Sequence, residues 1–450
     1  MTALLKTPSA WPRILLSDPE ASDPTDLDAA VRAGAFDGLK TAVRAMTPGQ
    51  IATTVAAAGL RGRGGAGFPT GAKWKAAAAA PGSTKYVVAN GYGADPSVQT
   101  DRTLLELAPY AVLEGMALAA YAIGAGDAIV AIRADATEAI RRFETAIAAA
   151  EDAGFIGSDV LETGWSLTVT VRPVQGAYML GEETVLLKAL EGKRGQPEQR
   201  PPHPSERGLF GRPTVVHNVQ TLAAVPWIMR HGAEAYAAIG AKDSPGTILV
   251  QLRGPAGGGI AEVPLGTPLK AIVGLAAGGR RANAESDRPI KAVLVGGPSG
   301  GFLPTDLLDT PYDYDSLRAV DAHVGSGSIV VADDRACIVD LARLLTRFCA
   351  DQACGKTIPC RIGTRRLSEV VDRIAVGTPK PTDATLAADL ASDIRGSALC
   401  DHERLATLPT TSAMRYFRAE LDDHLLRSTC PAGVCHPIAV AVAGGAHRGA

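Results

Sequence analysis

Between residues 84 and 192 the apolar positions switch repeatedly between two spacings, and the alternation sets the expected fold. The runs TKYVVAN (84–90), DAIVAIR (127–133) and SLTVTVRPV (166–174) are short and rich in β-branched residues, as buried strands are. TLLELAPYAVLEGMALAAYAIGA (103–125), ATEAIRRFETAIAAAEDAG (136–154) and GEETVLLKALEG (181–192) repeat apolar residues at three and four, the helical period. Strands alternating with helices predict an α/β unit with a parallel sheet covered on its faces. GKRGQPEQRPPHPSERGLFGRP (192–213) is Pro-rich and basic and predicts a long loop. GRPTVVHNVQTL (211–222) then reads as a constrained turn leading into a helix.

After Pro245 the pattern changes. GTILVQLRG, GIAEVPLGTPLKAIVGLAAGG, IKAVLVGGPSGGFLP and GSGSIVVADD predict short strands around one helix, a small α+β module of roughly 80 residues. From about residue 335, ACIVDLARLLTRFCADQ, CRIGTRRLSEVVDRIAVG, TDATLAADLASDIRGSAL and AMRYFRAELDDHLL predict a helical bundle. The expected organisation is an N-terminal extension (1–30), an α/β unit (31–240), the module (245–330), the bundle (335–428) and an Ala/Gly-rich tail (429–450). The most apolar stretch, AVLEGMALAAYAIGAGDAIVAI, is broken by Glu114, Gly115, Gly124, Gly126 and Asp127, so it reads as a buried helix running into a strand rather than a membrane span.

Composition narrows the function. A net charge of −2 and 5% aromatics give no basis for nucleic-acid binding or for an anionic membrane surface. The opening MTALLKTPSAWPRILLSDPE lacks a basic region followed by a long apolar run, which predicts a cytoplasmic protein. Seven cysteines cannot all pair, and six of them fall from Cys349 onward. In a reducing compartment, clustered thiols read as metal ligands or redox groups.

Three stretches carry candidate chemistry. GLRGRGGAGFPTGAKWK (59–75) contains Gly62-x-Gly64-x-x-Gly67, but GQIATTVAAAGL before it reads as a helix, whereas a dinucleotide fingerprint needs a strand there. Glycines still admit a ligand close to the backbone, and Arg61, Arg63, Lys73 and Lys75 bring positive charge for a phosphate; the plain alternative is a turn with solvated basic residues. Glu182 and Glu183 fall in the first turn of a helix, where carboxylates either suit the dipole or hydrogen-bond a polar ring. In ACGKTIPCR, Cys354 and Cys360 frame a loop with Thr357 midway, and Cys400 lies forty residues beyond Cys360.

Together with YMLGEETVLLKALEGKRGQPEQRPPHPSERGLFGRPTVVHNVQTL and VPLGTPL, these stretches resemble the NADH-binding flavoprotein subunit of respiratory complex I and its relatives in NAD-linked hydrogenases and formate dehydrogenases, from about residue 30 to 430. The resemblance implies a Rossmann-like FMN domain, a β-grasp module and a helical domain with an iron–sulfur cluster. It implies an electron-transfer subunit that takes electrons from NAD(P)H through FMN to the cluster and on to other redox subunits or a ferredoxin, at the cytoplasmic face of a membrane where the partner sits there. By this likeness Gly62, Arg63, Gly64 and Gly65 would wrap the FMN phosphate with Lys73 and Asn90. Gly181, Glu182 and Glu183 would line the flavin ring, and His217, Asn218 and Thr221 would lie on the phosphate side. Phe68, Tyr178 and Glu183 would face the nicotinamide nucleotide, making Glu183 the candidate catalytic group. Cys354, Cys360 and Cys400 would hold the metal.

Departures from the family pattern matter as much. Its strand-end motif, close to Asn-Ala-Asp-Glu-x-Glu-Pro, reads NGYGADP at 90–96, so Tyr92 and Gly93 replace acids and Asp95 is the remaining, shorter one. His217 stands where Asn is usual, and Ala76 and His203 where aromatics are usual. Thr357 takes the place of the second ligand in Cys-Gly-x-Cys-x-Pro-Cys. A thiolate is a soft iron ligand and a Thr hydroxyl is not. The open alternatives are [4Fe–4S] with an oxygen on one iron, [3Fe–4S], recruitment of Cys349, a three-Cys zinc site whose nearest histidine is His402, or plain buried thiols. Cys430 and Cys435 in CPAGVCH resemble the junction to a ferredoxin-like extension, read here as a remnant or a ferredoxin contact.

Overall fold

The computed structural model describes residues 3–16, 23–278 and 288–435. The first unit opens with four helices: α1 (Leu27–Arg32), α2 (Asp37–Ala45), α3 (Pro48–Ala57) and α4 (Thr70–Ala79). Thr47 and Gln50 close a capping box at the start of α3. Then come β1 (Tyr86–Gly91), α5 (Thr100–Leu107), α6 (Pro109–Ile123), β2 (Asp127–Arg133), α7 (Thr137–Asp152), β3 (Thr168–Val174), α8 (Glu183–Leu190), α9 (Pro204–Arg207), β4 (Thr214–Asn218), α10 (Val219–His231) and α11 (Ala233–Ala237). The four strands are all parallel, in the order β3-β2-β1-β4.

Two expectations are corrected here. The helix expected over 103–125 is two, because Pro109 cannot continue the first, and α5 and α6 meet at 95°. Residues 214–218, read as a turn into a helix, form a strand that runs into α10 without a turn. α6 is buried almost all round, and α10 crosses it so closely that a Cβ on Gly115 would lie 2.0 Å from Leu222 O. Among the described residues no single helix is long and apolar enough to cross a membrane.

A two-residue pair, β5 (Gly240–Ala241) and β6 (Ser244–Pro245), leads into the second unit. It comprises β7 (Thr247–Gly254), β8 (Gly257–Pro264), α12 (Leu269–Gly278), β9 (Ile290–Val295), β10 (Gly301–Pro304), α13 (Tyr314–Ala319) and β11 (Ser328–Asp333). The sheet order is β10-β9-β11-β7-β8, with β7 parallel to β11 and the other pairs antiparallel. The N-terminal segment docks on this unit: the buried Glu262 carboxylate accepts the N–H groups of Ile14, Leu15 and Leu16 at 2.7–3.0 Å.

The third unit is helical: α14 (Ile338–Gln352), α15 (Arg365–Ala375), α16 (Asp383–Gly396), α17 (Asp401–Leu405), α18 (Leu408–Tyr416) and α19 (Arg418–Arg427). The last stretch expected as one helix breaks at Phe417 into α18 and α19. A π-helical turn, Pro359–Thr364, precedes α15 and carries Cys360. Such turns recur at functional positions because they re-aim side chains.

Candidate functional site

Strand order locates the site before any side chain is considered. β2 and β3 lie on one side of β1 and β4 on the other, so the winding reverses between β1 and β4. In open parallel sheets a crevice forms at the strands' carboxyl ends where this happens. Asn90, one residue before the end of β1, and Asn218, the last residue of β4, are paired in register at those carboxyl ends.

The glycine loop between α3 and α4 closes onto this edge. Gly62 N–H donates to Phe68 O at 2.8 Å, and Thr70 N–H to Leu60 O at 2.9 Å. Gly67 is required by the fold itself, at φ +65° with its Cβ position 2.7 Å from the Tyr314 ring. Gly62 and Gly64 differ: neither is left-handed, and a Cβ on either would meet its nearest neighbour at an ordinary 3.5 Å, for Gly64 the Cβ of Asn218. No packing among the described residues demands glycine there, whereas a ligand pressed against the backbone does. Phe68 stands 53% exposed at the loop's end, with the Lys73 ammonium 5.8 Å from its ring centre.

Lys73, in the first turn of α4 after the loop, joins that helix to α8 and β4, its Nζ donating to Glu183 Oε2 at 2.8 Å and to Val216 O at 3.1 Å. Arg200 pairs with Glu183 at 3.2 Å. Burial pushes the Glu183 carboxyl up, but Lys73, Arg200 and His203 outweigh it and hold it below the usual range. Glu183 is therefore an anion at neutral pH. Glu182 does a different job: its side chain caps α8, accepting the N–H groups of Thr184 (2.8 Å) and Val185 (2.9 Å), and it pairs with Arg200. Gly181 ends the turn before it, 3.3 Å from Ala94 Cβ in its missing side chain's place.

Several other expected residues make contacts within the protein that tie the surrounding elements together. The Arg63 guanidinium is turned into the core, donating to Thr247 O, Pro245 O, Arg61 O and Tyr236 Oη at 2.6–3.0 Å, and its backbone N–H donates to Thr221 Oγ1 at 2.8 Å. The cation expected at a phosphate instead bolts the loop to the second unit. Arg61 likewise pairs with Asp315 at 3.0 Å. His217 is buried beside Trp74, whose indole N–H donates to Nε2 at 2.7 Å; burial, then Lys73, keeps the imidazole neutral. Asn218 caps α10 through Gln220 N–H and donates to Asp101 Oδ2 at 2.6 Å. Asp95 is a staple, accepting from Ser97 N–H and Oγ at 2.8 and 2.6 Å and from Ser326 Oγ at 2.6 Å. Tyr92 turns inward and donates to Gly176 O at 2.8 Å, so the aromatic at the former acid position fills apolar core. Tyr178 stands where all three units meet, its hydroxyl 3.2 Å from Ser299 Oγ and its ring edge-on to Phe348 and His402.

Two of the three expected metal-binding thiols, Cys354 and Cys400, lie against the apolar side of the first unit's sheet, and Cys360 sits in the π-helical turn that follows Cys354. Cys354 and Cys400 pack on the same apolar cluster as Tyr92, Met179, Leu180 and Val185. Burial, then Glu403 and the other two thiols, pushes Cys360 up to about 12; burial also raises Cys400, to about 11, with Glu182, Cys354 and Glu403 adding to it. Thr357 Oγ1 donates to Glu403 Oε1 at 2.8 Å and accepts Cys360 N–H at 3.3 Å, while Glu403 Oε2 accepts Leu399 N–H at 2.9 Å. The hydroxyl at position 357 is thus tied to a buried carboxylate. Cys349, the alternative thiol, is fully buried and directed at Pro298 O, 3.5 Å away.

The residues fit both cofactors. Among the described residues only two buried side-chain polar atoms lack a partner: Thr70 Oγ1, just after the glycine loop, and His402 Nδ1, two residues past Cys400. A cleft of about 460 Å³ behind the loop, lined by Arg61, Lys75, Lys242 and Asp243, contains none of the strand-end residues and is a separate feature. Sequence reasoning missed Asp101, Arg200 and Glu403. Arg200 was hidden in an irregular loop, and Glu403's only signal was its position one helical turn after Cys400.

Residues 55–227 match the family model of the Nuo51 FMN-binding domain, and residues 340–424 match the NADH-ubiquinone oxidoreductase-F iron–sulfur binding region. The chain is 39% identical to the NADP-reducing hydrogenase subunit HndC of Solidesulfovibrio fructosivorans over 92% of this chain and 83% of that one. It is 38% identical to the second NADH-quinone oxidoreductase F protein of Rhizobium meliloti over 93% and 99%. Among solved structures it is similar to a chain of an NAD+-reducing [NiFe]-hydrogenase in the H2-reduced state, with TM-score 0.80 and 31% identity over 94% of this chain and 68% of that one. With one relative matched over nearly its whole length and both cofactor regions recognised, the chain belongs to the NADH-quinone oxidoreductase F family, whose members are FMN- and iron–sulfur-binding oxidoreductase subunits.

Proposed function

We propose that this chain takes electrons from NAD(P)H at the β1/β4 edge and passes them, through FMN and a cluster on Cys354, Cys360 and Cys400, to a partner redox protein. FMN when bound can accept two electrons together and give them up singly. The protein's contribution is placement. Gly62 and Gly64 leave the backbone open to a ligand, Asn90 and Asn218 lie paired at the carboxyl ends of the two strands beneath it, and the Lys73–Glu183 pair fixes charge beside it. Phe68 offers an open aromatic face for a nucleotide base. The observation that carries the reading is the shared apolar wall: Cys354 and Cys400 pack against the cluster that backs the strand-end residues, so one set of packed side chains spans the two sites.

The finer architecture follows the same reading. The order β10-β9-β11-β7-β8 with parallel β7 and β11 supports a β-grasp module over 245–330, between an FMN domain (31–240) and an iron–sulfur domain (335–428). A cytoplasmic location, in a complex with other redox subunits or a ferredoxin, fits a chain similar to subunits of such complexes. A second reading, a relay that exchanges electrons with a ferredoxin and does not oxidise NADH, is favoured by Tyr92 filling the core where an acid is usual and by the Thr357–Glu403 pair. Anaerobic titration of the FMN-loaded protein with NADH and NADPH separates them. Bleaching of the flavin band supports the first reading; a flavin that only dithionite reduces supports the relay.

A further inference from the structure

The helical unit holds a second gathering of metal-binding side chains, distinct from Cys354, Cys360 and Cys400. Cys337 is the residue before α14, His424 lies in the last turn of α19, and Cys430 and Cys435 follow in the segment after it. One ligand atom from each lies within 4.8 Å of all the others. Cys337 and His424 are each 1% exposed.

The spacing discriminates between the things such a quartet could be. A tetrahedral zinc, with Zn–S of about 2.3 Å and Zn–N of about 2.05 Å, sets S···S near ~3.8 Å and S···N near ~3.6 Å. Cys337 Sγ is 3.6 Å from His424 Nε2 and 3.6 Å from Cys435 Sγ. A disulfide needs its sulfurs at about 2.05 Å, and an iron–sulfur cluster spreads its ligands over separate irons. The histidine is set for a metal: Nδ1 lies 2.9 Å from Glu420 O, an atom that only accepts, so the ring proton sits on Nδ1 and the Nε2 lone pair faces Cys337. A turn brings the last two sulfurs in. Gly433 N–H donates to Cys430 O at 3.0 Å, with Pro431 second in the turn and Gly433 at φ +69°. Glu420, one turn before His424 on the same helix, is engaged with Ile338 N–H and Lys291, and the gathered ligand atoms are three sulfurs and one nitrogen.

We propose that Cys337, His424, Cys430 and Cys435 bind one structural zinc ion, which fastens the segment after α19 to the start of α14. Three thiolates and an imidazole in a four-ligand set with no open position suit zinc in a structural role. The assignment does not depend on the flavin or the three-thiol cluster. The test is metal analysis of the full chain purified from zinc-supplemented medium without chelator, beside His424→Ala and the milder Cys435→Ser. The expected result is about one zinc per wild-type chain and less than about a fifth of that in either variant, with flavin content retained. Cobalt(II) substituted into the wild-type chain should give the visible bands of tetrahedral thiolate coordination, which His424→Ala should lose. This second readout holds even where a variant folds poorly, because the wild-type spectrum alone reports the ligand set. A wild-type chain free of zinc with Cys337, Cys430 and Cys435 all alkylatable or with a Cys430–Cys435 disulfide, iron in place of zinc, or zinc unchanged in both variants would overturn the assignment.

Discussion

Arg63 offers the sharpest separation of a fold-holding cation from a ligand-binding one. Its side chain, 1% exposed, donates to three backbone carbonyls and one phenol, and none of these partners is an anion. Arg63→Ala leaves those four acceptors in a dry space between the glycine loop, α11 and the start of the second unit. At about 1–3 kcal/mol per orphaned buried polar group, reduced by water entering the space and by relief of the buried charge, the loss is about 3–5 kcal/mol. Arg63→Lys keeps the charge but not the fork and should recover roughly half of it. The assay is urea unfolding of the flavin-free chain followed by tryptophan fluorescence, since Trp74 is fully buried beside the loop. A large fall in the midpoint for Ala, an intermediate one for Lys, and an FMN dissociation constant that rises less than about tenfold without salt dependence are expected. An unchanged midpoint with a large, salt-sensitive loss of FMN affinity would mean the guanidinium meets the phosphate, and the reasoning fails.

Lys73→Met removes the nearer cation from Glu183 and should weaken FMN retention about tenfold, read by equilibrium dialysis. Because the folded Glu183 carboxyl sits below its ordinary value of 4.5, its ion pairs contribute stability that is full above that pH and is lost as pH falls through the lower folded value; Glu183→Gln should flatten that acid limb of the stability curve. Glu114 runs the other way: buried between α6 and α2, it caps Phe36 N–H and Leu39 N–H and is raised to about 7, chiefly by burial. Stability should therefore fall by up to about 3 kcal/mol as pH rises from 4.5 to 7, and Glu114→Gln should remove most of that slope in denaturant midpoints. Thr357→Cys supplies the fourth thiolate, so iron per chain should rise toward four and the EPR spectrum should become that of an all-cysteine cluster; unchanged iron and EPR would show that position 357 does not face the metal.

Much of the architecture was legible because its signals are local. β1, β2 and β3 announce themselves as short β-branched runs, and the helices between them by period. What escaped depends on context. β4 is only Thr214–Asn218 and runs directly into α10, so no turn marked its end. The apolar run over 103–125 gave no sign of its bend apart from Pro109, a residue equally at home in a helix's first turn. At the site, residue types pointed to the right region but not to each side chain's task. Arg63, Asp95 and Glu182 look alike in sequence as polar groups near a ligand, yet their partners are Thr247, Ser326 and Arg200, and only the folded chain brings these to them. Cys430 and Cys435 were noticed as a pair; Cys337 and His424, 87 residues apart, could be joined to them only by α14 packing against α19.

The central claim is that a flavin edge and a three-thiol metal site share one apolar wall. It is tested most directly by quantifying FMN, iron and sulfide in one oxygen-free preparation of the full chain and recording EPR after reduction. About one FMN with three or four irons per chain and the signal of a reduced cluster are expected. A preparation that holds FMN yet has no iron, no sulfide and no EPR signal after anaerobic reconstitution would contradict it.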